Sequence, residues 1–507
     1  MERHNKAVAA IAANVRRFYD RKESFRIFHG STNSTRTTLF RRDKMIDTSG
    51  LSHVLKVDKE KRTALVEPNV PMDRLVETTM KYGLVPPVVM EFPGITVGGG
   101  YAGTSGESSS FKHGFFDRTV NYVNMILANG DMVTASRTER ADLFNGAAGA
   151  VGSLGITTLL ELRLIEAKKY VETTYHPVSS VSEATQKLKK LTANPDLDYI
   201  DGILFSLNNG VIITGRMTDT SDVNLPIRRF SRARDPWFYL HVQDILSNNP
   251  TATTTELIPL DDYLFRYDRG GFWVGRSAFH YFYTPFNWLT RWFLDDLLHT
   301  RVMYIALHAS GFSTQYVIQD LALPYSTVEE FIKYTDTTFD IYPLWLCPLR
   351  QETLPTFHPH SNETEADGKT LKPMLNVGLW GYGHPDRHAF FKLNRHLEAK
   401  LRKLGGMKWL YANTYYSETE FWSIYDRKWY DALRTKYDAT SLLSVYDKVR
   451  TDVDAQEKVI KMSWSYWLLS KWPIGGLWGL WKAATSGQYL LAKKERWKSI
   501  EEKDRVD

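Results

Sequence analysis

Apolar residues recur at helical intervals across residues 7–21 (AVAAIAANVRRFYDR), and SFRIF then reads as a strand that ends in the turn His29-Gly30. From 44 to 68 short apolar stretches are separated by turns (KMIDTSG, HVLKVD, RTALVEP), which predicts small strands. PMDRLVETTMKYG follows with amphipathic helical spacing and stops at Gly83, a residue type that closes helices. VNYVNMILANG is strand-like. Past about Val171 the character changes: β-like runs are expected at 203–217 and in VNLPIRR, followed by an aromatic stretch from 263 to 299. Strands are expected in TQYVIQDLALP (314–324), DIYPLWLCPLR (340–350) and LNVGLWGYG, and helices in STVEEFIKYTD and HAFFKLNRHLEAKLRKLGG. Residues 353–373, with several Pro, His, Asn and Asp, read as an exposed loop, and KWLYANTYYSETEFWSIYD as a final strand and helix.

A chain of 507 residues exceeds one ordinary core, which predicts two domains or one domain with a large insertion. Aromatics make up 13% of it, with 15 Trp and 27 Tyr, a surplus suited to a flat apolar ligand or a membrane surface. The net charge of +6 is spread among 58 acidic residues and no nucleic-acid-binding motif is present, so nucleic acid is not an expected partner. A single cysteine, Cys347, excludes an intrachain disulfide, and the first residues do not resemble a signal peptide, so a reducing compartment is expected. No run of about 18 apolar residues predicts a transmembrane helix. Residues 464–491 combine Trp464, Trp467, Trp472, Trp478 and Trp481 with Lys471 and Lys482, and Lys493 and Lys494 follow, which suits either an interfacial membrane anchor or a tail packed on its own domain or on a second subunit.

Two glycine-rich blocks carry the candidate chemistry. PGITVGGGYAGTSGESSSFKHG (93–114) holds six glycines between Gly94 and Gly106, and a second block runs from Gly146 to Gly155. Gly98, Gly100 and Gly103 spell G-x-G-x-x-G, but VVMEFPGI before them is broken by Pro93 and TSGESSS after them is a poor helix interior, which argues against a dinucleotide-binding βαβ unit. The expectation is a long extended loop whose amides line a diphosphate, with hydroxyls from Thr104, Ser105 and Ser108. GSTNSTR (30–36), all small or hydroxyl residues up to its arginine, is a weaker candidate of the same kind. No metal site is expected.

In order, VEPNVPMDRLVETTMKYGL, the 93–114 block and LANGDMVTASRTERADLFNGAAGAVGSLGITTLLELRL resemble the FAD-binding domain of vanillyl-alcohol-oxidase-type flavoproteins. ESSSFKHG, EAKKYV (166–171), DGILFSLNNGVIITGRMTD, VIQDLALP, DIYPLWLCP and LYANTYYSETEFWSIYD narrow the resemblance to the delta-24 sterol reductases of the Diminuto/Dwarf type, from about residue 62 to 450. The resemblance implies an α+β fold: a two-subdomain FAD-binding domain over 1–171, an α+β substrate (cap) domain over 172–400, a return toward the flavin over 401–462 and a tryptophan-rich tail over 463–507. It implies FAD contacts at Thr96, Val97, Gly98, Gly99, Gly103, Thr104, Ser105, Gly106, Glu107 and Ser108, at Gly152, Leu154, Gly155 and Ile156, and, less directly, at Gly30, Ser31, Thr32, Asn33 and Ser34. Many relatives attach FAD through a histidine in the first loop; Asn33 stands there, so non-covalent FAD is expected. Sterol reductases of animals and plants usually begin with an apolar membrane segment, which this chain lacks; a peripheral place on the cytosolic face of the endoplasmic reticulum membrane, or the cytoplasm, is expected instead.

The implied reaction is reduction of a carbon–carbon double bond in a sterol-like molecule. An isolated alkene is a poor hydride acceptor, so one carbon must be protonated as hydride arrives from reduced flavin. Tyr411, Tyr415, Glu418 and Asp320 are the candidate acids, and Glu107 a candidate to orient a flavin ring nitrogen. Electrons are expected from NADPH, visiting the flavin site transiently or acting through a partner reductase. The alternatives are a flavin oxidase of a natural product, distinguished by peroxide release, and a non-catalytic flavin-retaining scaffold at a membrane, distinguished by full FAD occupancy without redox response.

Overall fold

A computed structural model describes residues 1–30, 36, 41–220, 224–352, 355–452, 468, 469 and 471–494. The chain opens with the helix Glu2–Asp20, which buries Val8, Ile11, Val15 and Phe18, spaced three and four apart as one face of a helix requires. Arg26–Phe28 pairs in parallel with Met45–Asp47. Five strands form an antiparallel sheet in the order Val54–Asp58, Thr63–Val66, Ile156–Arg163, Val120–Ile126, Met132–Ser136.

An eight-stranded antiparallel sheet follows, in the order Thr254–Pro259, Tyr170–Val178, Asn209–Thr218, Tyr199–Ser206, Leu344–Leu349, Met374–Tyr382, Tyr316–Pro324, Met407–Lys408. It takes in residues on both sides of the boundaries expected at 172 and 400. Its central strands are buried on both faces, so their period of two separates two kinds of neighbour rather than core from water. Val317, Leu321, Leu375, Val377, Leu344 and Leu346 pack in one cluster with Phe331 and Leu397 from the helices Val328–Phe339 and Arg387–Lys403. The alternate positions Ile318, Asp320, Asn376, Trp380 and Trp345 face the other way, into a cavity shared with the N-terminal part of the chain.

Three local expectations need correction. Residues 97–103 are a helix, not an extended loop: Thr96 caps it by accepting a hydrogen bond from the Gly99 amide at 3.1 Å. Its glycines meet packing demands that an extended loop would not impose, because a Cβ on Gly98 would lie 2.8 Å from Pro68 Cβ and one on Gly100 would lie 2.6 Å from Met90 Cε. Among its described residues VNLPIRR contributes one isolated bridge, Ile227 to Leu257, whereas residues 203–217 are strand as expected, folded back on themselves as parts of two paired strands. The loop expected to be exposed is buried between Thr356 and His358, where His358 Nε2 meets Asp117 at 2.8 Å and Phe357 packs against Tyr425, Trp429 and Tyr430.

After the sheet the chain returns to the N-terminal half. Tyr430, on the helix Arg427–Lys436, donates its hydroxyl hydrogen to Ser153 Oγ at 2.7 Å, and Lys448, on Val445–Val449, donates to the carbonyls of Val151 and Gly152 at 3.1 and 2.7 Å. The second glycine block is thereby held by residues nearly three hundred positions away.

Candidate active site

A cavity of about 1130 Å³ lies between the N-terminal half and the eight-stranded sheet. Three groups of residues, distinct in chemistry, make its wall. The first is glycine and cation: Gly98, Gly99, Gly103, Gly152 and Gly155 beside Arg26, Arg36 and Lys448. Gly155 sits at φ +149° with its missing Cβ position 2.6 Å from the Ile126 carbonyl oxygen, so only glycine fits there. At Gly103, by contrast, a Cβ would meet nothing within 4 Å. No protein neighbour requires that glycine; the clearance lies on the cavity side.

Burial drives the Lys448 ammonium down to about 7, and the charges of Arg26, Arg36 and Arg434 push the same way. Arg36, which donates to the carbonyls of Tyr411 and Lys448 at 3.0 and 2.8 Å, is lowered to about 10 by burial and then by Arg26. Three cations crowded together out of water suit an anion. A dinucleotide diphosphate meets that need, and the Cβ-free wall leaves it room.

The second group is acidic and aromatic. Asp320 accepts hydrogen bonds from Asn376 Nδ2 at 2.9 Å and from the Tyr411 hydroxyl. Burial raises the Asp320 carboxyl to about 6, the bonds from Tyr411 and Asn376 opposing the rise. Glu91 and Glu107 are both buried on the wall; burial raises both carboxyls above the usual range, and the charge of Glu91 raises Glu107 further. Phe272 stacks on Tyr267 at 4.0 Å and meets Trp380 edge-on at 4.1 Å, with Phe92 and Trp345 alongside. Nearby, Arg266 and Asp201 pair at 2.7 Å and neutralise each other.

The third group, Tyr281, Tyr283, Trp472 and Leu480, forms the opening: Tyr283 is 81% and Trp472 58% exposed while both also line the cavity.

Eleven expected FAD contacts line this one cavity: Thr96, Gly98, Gly99, Gly103, Ser105, Gly106, Glu107, Gly152, Leu154, Gly155 and Ile156. Val97 points into the core instead, and Thr104 and Ser108 lie behind the wall, their carbonyls accepting from the Trp409 indole and the Ile200 amide, each at 2.8 Å. Gly30, at φ +80°, follows the cavity-lining His29; Ser31, Thr32, Asn33 and Ser34 lie outside the described residues. Among the expected acids, Asp320 and Tyr411 come together on the wall. Tyr415 packs on the far side of the sheet against Phe391, and Glu418 is exposed and paired with Arg427 at 3.3 Å, because its place at the start of the helix Glu418–Ile424 turns it to solvent. Arg26, His29, Glu91 and Lys448 are wall residues that the sequence reading missed; a motif search has no signal for isolated cations brought in from remote segments.

The FAD binding domain family matches residues 5–136. The chain is similar to the delta(24)-sterol reductase of Homo sapiens, 30% identical over 405 residues that cover 79% of this chain and 76% of the relative. The delta(24)-sterol reductase homolog of Caenorhabditis elegans is 28% identical over 427 residues (80% and 78%), and the delta(24)-sterol reductase of Arabidopsis thaliana 27% identical over 445 (82% and 78%).

Proposed function

The chain belongs to the delta(24)-sterol reductase family, and from that premise we propose that it reduces a side-chain carbon–carbon double bond of a sterol or sterol-like molecule, holding FAD non-covalently and drawing electrons from NADPH. The observation that carries the reading is the juxtaposition, in one cavity, of an anion-seeking glycine wall and a protonatable carboxyl among aromatic rings. Arg26, Arg36 and Lys448, with Gly99, Gly103, Gly152 and Gly155, would hold the FAD diphosphate. FAD, once reduced by electrons from NADPH, would supply the hydride that an alkene polarised by protonation accepts.

The chain's own residues do the rest. Asp320, raised to about 6, and Tyr411, hydrogen-bonded to it, put a proton on the wall that is transferable below and around pH 6. Phe92, Phe272, Trp345 and Trp380 exclude water from a centre with carbocation character and offer it ring faces. Glu91 and Glu107 add two further carboxyls raised by burial on the same wall. Tyr415 and Glu418, remote from the cavity, have no part in this proposal.

Purified protein incubated with NADPH and a panel of sterols tests the function; saturation of a side-chain double bond is expected, and peroxide release without saturated product would overturn it in favour of an oxidase. Rapid bleaching of the flavin on mixing with NADPH is expected for direct reduction, and no bleaching assigns the electrons to a partner reductase. Denaturation should release the yellow colour from the polypeptide; retained colour would point to attachment, with His29 on the cavity wall the residue to replace. Among the described residues no helix is long and apolar enough to cross a membrane. We propose peripheral contact through the 464–491 region at the cytosolic face of the endoplasmic reticulum membrane.

A further inference from the structure

Of the seventeen large hydrophobic side chains that stand exposed among the described residues, twelve fall in two segments, 283–293 and 472–491. The first includes Trp288 (55% exposed), Trp292 and Phe293 (79%), and belongs to the aromatic stretch 263–299. Trp472 joins the two segments: its indole donates to the Tyr281 carbonyl at 2.9 Å and its ring meets Tyr283 edge-on at 5.6 Å.

The helix Ile474–Thr485 is amphipathic in the wrong sense for water. It buries Gly475, Gly476, Gly479 and Ala483 and exposes Leu477, Trp478 and Trp481. The buried glycines let it lie close on the helix Thr300–Ser310: a Cβ on Gly479 would sit 2.7 Å from the Ala306 carbonyl oxygen, and one on Gly476 2.3 Å from the Tyr281 ring. An aqueous surface would select the reverse arrangement, with tryptophan inside and small residues outside. Lys482 stands 5.0 and 5.2 Å over the rings of Trp478 and Trp481, the pairing of aromatic and cation that suits a lipid headgroup layer. The inner side of this helix, through Gly476 and Leu480, also lines the cavity.

We propose that segments 283–293 and 472–491 form one membrane-docking face around the cavity opening, and that an apolar substrate passes through it from the bilayer into the cavity without entering water. The docking rests on the exposed rings alone; the passage of substrate rests on the sterol reductase reading. Two variants avoid the cavity wall: Trp288→Ser with Trp292→Ser and Phe293→Ser, and Trp478→Ser with Trp481→Ser. Full-length protein, its flavin content checked, is sedimented with phosphatidylcholine vesicles with and without phosphatidylserine, and turnover is measured with a side-chain-unsaturated sterol delivered either in those vesicles or in cyclodextrin. Wild type should co-sediment, and each variant should partition about tenfold less, the order expected when several interfacial aromatics are removed. The kcat/KM of each variant should fall with vesicle-borne substrate and stay unchanged with cyclodextrin. Variants that sediment like wild type, or that lose activity equally with both deliveries, would overturn the proposal. Wild type that ignores vesicles but dissociates into single chains when the rings are removed would overturn it in favour of a second copy. If wild type sediments but turns over no sterol in either delivery, the substrate reading fails while the docking face stands.

Discussion

Lys448 and Asp320 lie on the wall of the same cavity, and burial moves both toward neutrality, the ammonium down to about 7 and the carboxyl up to about 6. The surroundings differ in sign. Around Lys448 the charged neighbours are Arg26, Arg36 and Arg434, so their field adds to the loss of solvent and is relieved by an anion. Around Asp320 the neighbours are hydrogen-bond donors, Tyr411 and Asn376, which hold the side chain in place and offset part of the rise that burial causes. Desolvation is the shared cause, and the choice of neighbours makes one region suited to an anion and the other suited, in our proposal, to giving up a proton.

The strongest way to break this contrast is to reverse the charge at one region only. Lys448→Glu should weaken FAD binding by about 100-fold or more, the scale seen when a buried charge loses its complement, as read by flavin fluorescence on titrating apoprotein. Equal affinity would remove the cationic region from the cofactor site. Asp320→Asn should slow reoxidation of pre-reduced flavin by sterol by about 10²–10⁴-fold, the usual worth of a positioned acid, with flavin affinity unchanged. Tyr411→Phe should have a smaller effect of the same kind.

The two groups also differ in the sign of their pH dependence. A protonated Lys448 favours the diphosphate, so binding raises its pKa; FAD affinity should be level below about pH 7 and fall by up to about tenfold per unit above it. Asp320 must be protonated to donate, so the reoxidation rate should be full below about pH 6 and decline as the pH rises through it. Affinity that rises with pH above 7 would contradict the first assignment. A smaller contrast separates two glycines of one helix. Gly103→Ala should leave stability unchanged or raise it by about 0.5–1 kcal/mol, yet reduce flavin affinity severalfold. Gly100→Ala, pressed against Met90 and Phe116, should cost about 1–3 kcal/mol of stability through overpacking, as thermal unfolding would show.

Sequence patterns located the strands of the large sheet within 203–217, 314–324, 340–350 and LNVGLWGYG, because alternate residues there are apolar on both faces and turns bound each run, but not Tyr170–Val178 or Thr254–Pro259. They misread 97–103, where consecutive glycines depress helix propensity and the decisive facts are contacts with Pro68, Met90 and Phe116. Eleven of the expected FAD contacts share the cavity because they lie in contiguous blocks, whereas Val97, Thr104 and Ser108 turn away as neighbours in a helix and turn must. Glu418 and Tyr415 share with Tyr411 a block expected to turn toward the flavin, but Glu418 opens an exposed helix and Tyr415 packs on the far side of the sheet. Lys448 was illegible for the opposite reason: its significance comes from Val151 and Gly152, and only the fold brings them together. The aromatic stretch 263–299 offered no sign of where buried rings such as Phe272 give way to exposed ones such as Phe293.

The most direct test is a single turnover without oxygen: protein loaded with FAD, reduced, and mixed with a sterol bearing a side-chain double bond. Reoxidation of the flavin with one saturated sterol formed per flavin is the predicted result. A protein that takes up no flavin, or a reduced flavin that persists while the sterol returns unchanged, would contradict the account.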